Sequence, residues 1–490
     1  MRTDERFFEA LFGFAEGGYI DTRRSLLQRC TFEAVHTHTS RGHRRVLKER
    51  ALFHHPHLPD GRLISSGWHS TPTVAELRAE TVSAVRMFEL KHPGLLSKVA
   101  LPDRVCPTLP TAPCSVRCAH VTGEVGRMHN SIADGLFQAA SQFNLLEFMS
   151  PAVTPEDGLQ HYLNDRTQGP ACALACVAGT AYRNYLLHPD FFSASGTVPG
   201  VEGPDEAARG QLTDRQVNML DNLAEYLTRE HGSGSGDATA VTDAVGSTFS
   251  CAPALAREHF FKVRNGYFFH EPQIASLTAR LQHIAASVGI SITDVEEELV
   301  SRLRIGLVED ATVTLPLHHS PLCPVGDVRL RFGDQAEKKV LCTLGTDVVS
   351  EEEVHNVTQT YNSALSLPLQ DQCTPLEWSG IAALSRIILR GTYEATLLAG
   401  VQHTLRRLEQ QMSFADASLA EVRSLSLPPI FLTKVGGGVF RNDGEWIASG
   451  IASAVHRVAA LGVPLDVRLV HFREVEGFYR DYFPSWPILD

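Results

Sequence analysis

Residues 430–455 read IFLTKVGGGVFRNDGEWIASGIASAV, and no other stretch constrains the fold as tightly. An apolar run from Ile430 to Val435 has the length of a strand and ends in Gly436, Gly437 and Gly438. Val439 and Phe440 follow, then Asn442, placed as a helix N-cap with Glu445 three positions on as its capping-box partner. Beyond it Trp446, Ile447, Ile451, Ala454 and Val458 recur at helical spacing. The order is strand, glycine loop, helix. A loop of glycines lets backbone N–H groups approach a phosphate, and the helix start adds positive dipole character. A tight turn with no ligand would use the same glycines.

The segment resembles the second phosphate loop of the macrodomain, the ADP-ribose-binding fold. There a strand ends in small-x-Gly-Ile-Phe-Gly and a helix follows. The counterpart is Gly436-Gly437-Gly438-Val439-Phe440-Arg441, with Arg441 where the family usually has glycine. Val467 to Phe472 alternates as the family's last strand would, and Glu474 to Tyr482 matches its final helix. The family opens with Gly-Asp-Ile, then a strand ending in Asn-Ala-Ala-Asn. Here Val121-Thr122-Gly123-Glu124-Val125 and Gly135 to Asn144 stand in those places. The resemblance implies that Glu124 accepts from adenine and that Asn144 takes the distal ribose. It also implies that Thr167-Gln168-Gly169-Pro170-Ala171-Cys172-Ala173 is the first phosphate loop. Pro170 suits a first helical turn, where a missing N–H costs nothing. Thr358 to Ala364 would be a middle strand, and a long helix from Trp378 to Gln411 would precede the last strands. Gln142-Phe143-Asn144 and Gly169-Pro170-Ala171-Cys172 mark a diverged subgroup.

The resemblance implies an α/β chain: a macrodomain-like three-layer α/β/α core with a mixed sheet, an N-terminal extension and a mostly helical insertion. The expected segments are 1–117 as extension, 118–188 as the first part of the core, 189–345 as the insertion and 346–490 as the second part. In the extension, Thr73 and Glu76 form a capping box ahead of a helix to Phe88, and the histidine-rich stretch 36–57 reads as a loose polar segment. In the insertion, Thr213 to His231 reads as a helix capped by Thr213 and Gln216. Helices at 272–287 and 293–304 and a hairpin across 328–344 follow.

Two loops of this kind would grip a diphosphate between them. A carboxylate near the distal ribose could serve as general base for hydrolysis. Glu147 is the first candidate and Asp165 the second, and a solvated or capping acid is the plain alternative for both. The paired acidic signature of poly(ADP-ribose) glycohydrolases is absent. Cys172 and Cys176 share a helix face and read as small packing residues. No Cys-x-x-Cys pair, P-loop or Rossmann fingerprint occurs, so no metal or cofactor is expected. Arg302 and Arg304 could reach a phosphate or be solvated.

The formal charge of −12 argues against broad nucleic-acid binding. No run of about 18 apolar residues is present, so no membrane span is expected. A charged start at Arg2, Asp4, Glu5 and Arg6 argues against a signal peptide. A cytoplasmic or nuclear protein with reduced thiols is the expectation. Three functions stay open: a hydrolase of ADP-ribosyl linkages, a non-catalytic reader of ADP-ribose or a related nucleotide, and a scaffold with an empty pocket that meets a protein partner through the insertion.

Overall fold

The structure is a computed structural model that describes residues 7–38, 44–54, 63–99, 115–165, 167–192, 208–231, 259–314, 355–413 and 425–489. Its strands are β1 (Cys30–His38), β2 (Arg44–His54), β3 (Leu63–Ser65), β4 (Trp68–Ser70), β5 (Val116–Thr122), β6 (Leu136–Ala140), β7 (Phe261–Arg264), β8 (Tyr267–His270), β9 (Gly306–Thr312), β10 (Asn356–Asn362), β11 (Pro429–Leu432), β12 (Leu465–His471) and β13 (Ile488–Leu489). All but β7 and β8 join one mixed sheet in the order β1-β2-β4-β9-β10-β6-β11-β12-β5-β13, with β3 paired to β2. From β10 to β13 every neighbouring pair is parallel, whereas β9, β4, β2 and β1 pair antiparallel.

The parallel strands are short and mostly buried because helices cover both faces of the sheet. On β6, Gln138 points to the helix Pro375–Ser413 and its amide donates to Thr396, while Phe137 points the other way and stacks on His129 at 3.8 Å. On β10, Thr358 meets His403 of that same long helix, and Gln359 reaches His129 and the Cys172 carbonyl on the opposite face. The helix Gly444–Ala459 lies beside the long one, where Gly450 fits against Tyr393 and Leu389. Arg78, Arg390 and Arg457 converge on Glu297 and tie the helices Val74–Lys91, Ile292–Arg302, Pro375–Ser413 and Gly444–Ala459 together.

Several expectations hold. Thr73 and Glu76 do form a capping box, and the long helix does precede β11. Others need correction. Within the stretch 36–57, residues 36–38 and 44–54 are not loose, because they belong to β1 and β2, an antiparallel pair at the sheet edge. His43, His55, His57 and the hairpin expected over 328–344 lie outside the described residues. The helix expected from Thr213 is only Asp221–Thr228. Thr213 bonds Glu156, and Gln216 bonds Asn144 and Asn265, so long-range partners take the groups that would have capped. Residues 189–345, expected as the insertion, contribute β9 to the central sheet, and residues 1–117 contribute β1 to β4.

The remaining hairpin, β7 and β8, is seated at the carboxyl ends of the parallel strands. Asn265 and Gly266 both have positive φ, as a two-residue turn matching strand twist requires. The Gly266 carbonyl accepts from the Phe143 N–H, and the Tyr267 hydroxyl donates to the Phe148 carbonyl at 2.6 Å. A Cβ on Gly266 would lie 2.4 Å from Asn144 Oδ1. Gly266→Ala therefore combines a strained φ with a collision, and a loss of about 2 kcal/mol or more is expected in urea denaturation.

Candidate functional site

The carboxyl ends of β5, β12, β11, β6 and β10 share one edge, so the loops that follow them all open there. The chain runs from β6 outward to β10 on one side and to β11 and β12 on the other. In open α/β sheets such a reversal leaves a crevice where ligands bind.

The loop after β11 is built to stay open. Gly436 has φ +76, and a Cβ there would lie 2.5 Å from the Ala364 side chain. Arg441 stands where the resemblance expects glycine, and its φ of +61 is the left-handed conformation that glycine favours. Asn442 is buried: its Nδ2 donates to the Leu365 carbonyl at 2.8 Å, its Oδ1 accepts from Ser385, and its N–H reaches the Gly436 carbonyl. It thus latches the loop instead of capping the helix. The cap is Asp443, which accepts from the Glu445 N–H at 2.8 Å. Gly437, Gly438 and Val439 are exposed. The N–H groups of Gly438, Val439 and Phe440 have no hydrogen-bond acceptor among the described residues.

The first loop differs. Gly169 and Pro170 begin the helix Gln168–Ala175 and are buried together with Ala171. Gln168 is engaged with the end of β6: its Oε1 accepts from the Ala140 N–H and its Nε2 donates to the Gln138 carbonyl, both at 2.8 Å. A Cβ on Gly169 would lie 2.0 Å from the Ala140 carbonyl oxygen and 2.4 Å from Glu147 Oε2. Gly169 therefore closes onto β6 while Gly437 faces solvent, although their strands are neighbours about 4.8 Å apart. Tyr267 links the two sides, with its ring 5.6 Å from that of Phe440.

Asn144 is fully buried. Its Oδ1 accepts from the Leu146 N–H and its Nδ2 donates to Gln216, so both side-chain atoms already have partners. Glu147 is also enclosed, and neither carboxyl oxygen has a hydrogen-bond partner. Burial pushes its carboxyl well above the usual range, against a smaller pull from the Arg183 charge. Asp165 is half-exposed and accepts from the Thr167 N–H at 2.8 Å, just ahead of the helix. Glu124 stands at the end of β5, paired with Arg127 at 2.9 Å, and partial burial raises its carboxyl. It lies two strands from β11, a spacing of about 10 Å.

The structure adds Arg183, which belongs to none of the sequence motifs. It is fully buried on a π-helical turn at Tyr182–Leu186, its guanidinium 3.6 Å over the Tyr361 ring, and its Nη1 has no partner. Such turns gather at functional sites. A single charged residue, Arg183, within the mostly apolar run from Ala171 to Leu187 was the available signal. Cys172 and Cys176 are packing residues, their thiols raised by burial, that of Cys176 to about 12. Arg304 is buried and paired with Asp221 at 3.1 Å, away from any phosphate role, and Arg302 pairs with Glu298. Among the described residues no three His, Cys, Asp or Glu side chains gather to hold a metal ion, and no helix is long and apolar enough to cross a membrane.

No protein-family model matches this chain, no curated protein matches it, and no solved structure matches it.

Glu147 generates a pH prediction. With its folded pKa raised, the native state keeps a proton that the unfolded chain loses above about pH 4.3, so stability falls as pH rises. Glu147→Gln lacks that proton uptake. Denaturation at pH 5 and pH 8 should show the parent losing stability relative to the variant at the higher pH.

Proposed function

We propose that the protein binds a phosphate-bearing nucleotide of the ADP-ribose type at the carboxyl edge of the parallel strands. The observation that carries this reading is the run of three amides without acceptors, on exposed Gly438 and Val439 and half-buried Phe440, just ahead of the helix Gly444–Ala459. Successive free N–H groups beside a helix start form an anion cradle. Glu124, about 10 Å along the edge, is the acceptor for a base amine at the far end of the ligand. Lys434, paired with Glu476 at the foot of the loop, adds positive charge.

Binding without turnover is the form of the proposal that the geometry favours. Asn144 is engaged on both side-chain atoms, and Glu147 is enclosed behind Gly169. Hydrolysis of an ADP-ribosyl linkage is the second reading. Asp165 favours it, because it is the half-exposed carboxylate beside the first loop and could act as base to a water.

A thermal-shift panel with ADP-ribose, AMP, NAD and cyclic nucleotides tests the binding. A selective rise is expected, equivalent to about 2.7 kcal/mol at a hundred times Kd. Gly438 tests the loop, since a Cβ there meets nothing within 4 Å. Gly438→Asp should leave the midpoint within a degree or two of the parent and weaken nucleotide binding tenfold or more, by placing a negative charge where the phosphate would sit. Equal affinity in calorimetry would remove the loop from the site.

A further inference from the structure

We infer that Glu147 gates the start of the helix Gln168–Ala175: its carboxyl stands against Gly169 and keeps a second phosphate away, so the protein grips one phosphate and reads a diphosphate no better than a monophosphate. This deepens the reading above and rests on it.

The helix opens onto the same sheet edge as the Gly436–Phe440 loop, from the neighbouring strand. Its first N–H groups, on Gln168 and Gly169, find no acceptor among the described residues. A helix start of this kind draws an anion. What stands there is Glu147, whose Oε2 would be 2.4 Å from a Cβ on Gly169. The carboxyl is fully enclosed, yet neither oxygen makes a hydrogen bond, and the Nη1 of buried Arg183 has no partner either. A buried carboxyl without a hydrogen bond, near a guanidinium with one nitrogen free, is polar capacity that the fold itself does not use. The Arg183 charge and the Ser141 hydroxyl act on the Glu147 carboxyl, and shortening the side chain would clear the helix start of it.

Calorimetry with AMP, ADP and inorganic pyrophosphate on the parent, Glu147→Ala and Glu147→Gln tests the gate. The parent should bind AMP and ADP within about threefold of each other. Glu147→Ala should raise the preference for ADP tenfold or more, and Glu147→Gln, which keeps the shape, should retain the parent ratio. Glu147→Ser serves if the alanine variant does not fold. A parent that already prefers ADP tenfold overturns the gate, and so does a shortened variant with an unchanged ratio. If the parent binds neither nucleotide while the shortened variant takes up pyrophosphate, the gate stands and the role of the Gly436–Phe440 loop falls. Failure of every protein to bind any of the three overturns both.

Discussion

The pairing of β6 in parallel with both β10 and β11 is the constraint on which the rest depends. Parallel neighbours cannot be joined by a tight turn, so each connection must cross a face of the sheet and return to the same starting edge. That requirement places helices on both faces and sends five strand ends to one edge. It also explains the interior polarity of β10. Thr358, Gln359 and Thr360 are buried among helices, and each finds a side-chain or carbonyl partner there. A strand covered on both faces can carry such residues only where the helices supply matching groups.

At that shared edge the two glycine-bearing loops have opposite characters, and the reason is what each glycine touches. Gly169 is needed because a strand carbonyl and a carboxyl press against it. Gly436 is needed for its backbone conformation, and Gly438 beyond it touches nothing. A close approach and an open turn both select glycine, for reasons that have nothing in common.

Around the first loop, enclosed amides form a connected framework. Asn144 joins Gln216, which joins Asn265, which reaches the Pro151 carbonyl, so the β7–β8 hairpin is fixed to the loop that follows β6. Arg183 joins it through the Leu145 carbonyl and the Thr180 hydroxyl, leaving only Nη1 without a partner, and the Glu147 carboxyl lies beside it. In this small region the amides that link the hairpin to the sheet are paired on both side-chain atoms, whereas the Glu147 carboxyl and one nitrogen of Arg183 are not.

The sequence by itself determined the local pieces. Gly436 to Gly438 after an apolar run, the Thr73–Glu76 capping box and the long apolar helix ahead of β11 were all legible, because each depends on neighbours within a few residues. Tertiary structure decided what long-range partners control. Asn442 has the side chain of an N-cap, but the Leu365 carbonyl and the Ser385 hydroxyl claim it, and capping passes to Asp443. Thr213 and Gln216 likewise bond residues far along the chain, and the helix they would have started begins only at Asp221. Whether Gly169 faced solvent or a carboxyl depended on Glu147, more than twenty residues away, and no periodicity encodes a contact of that range. Side-chain chemistry sets the options at each position, and burial against distant partners selects among them.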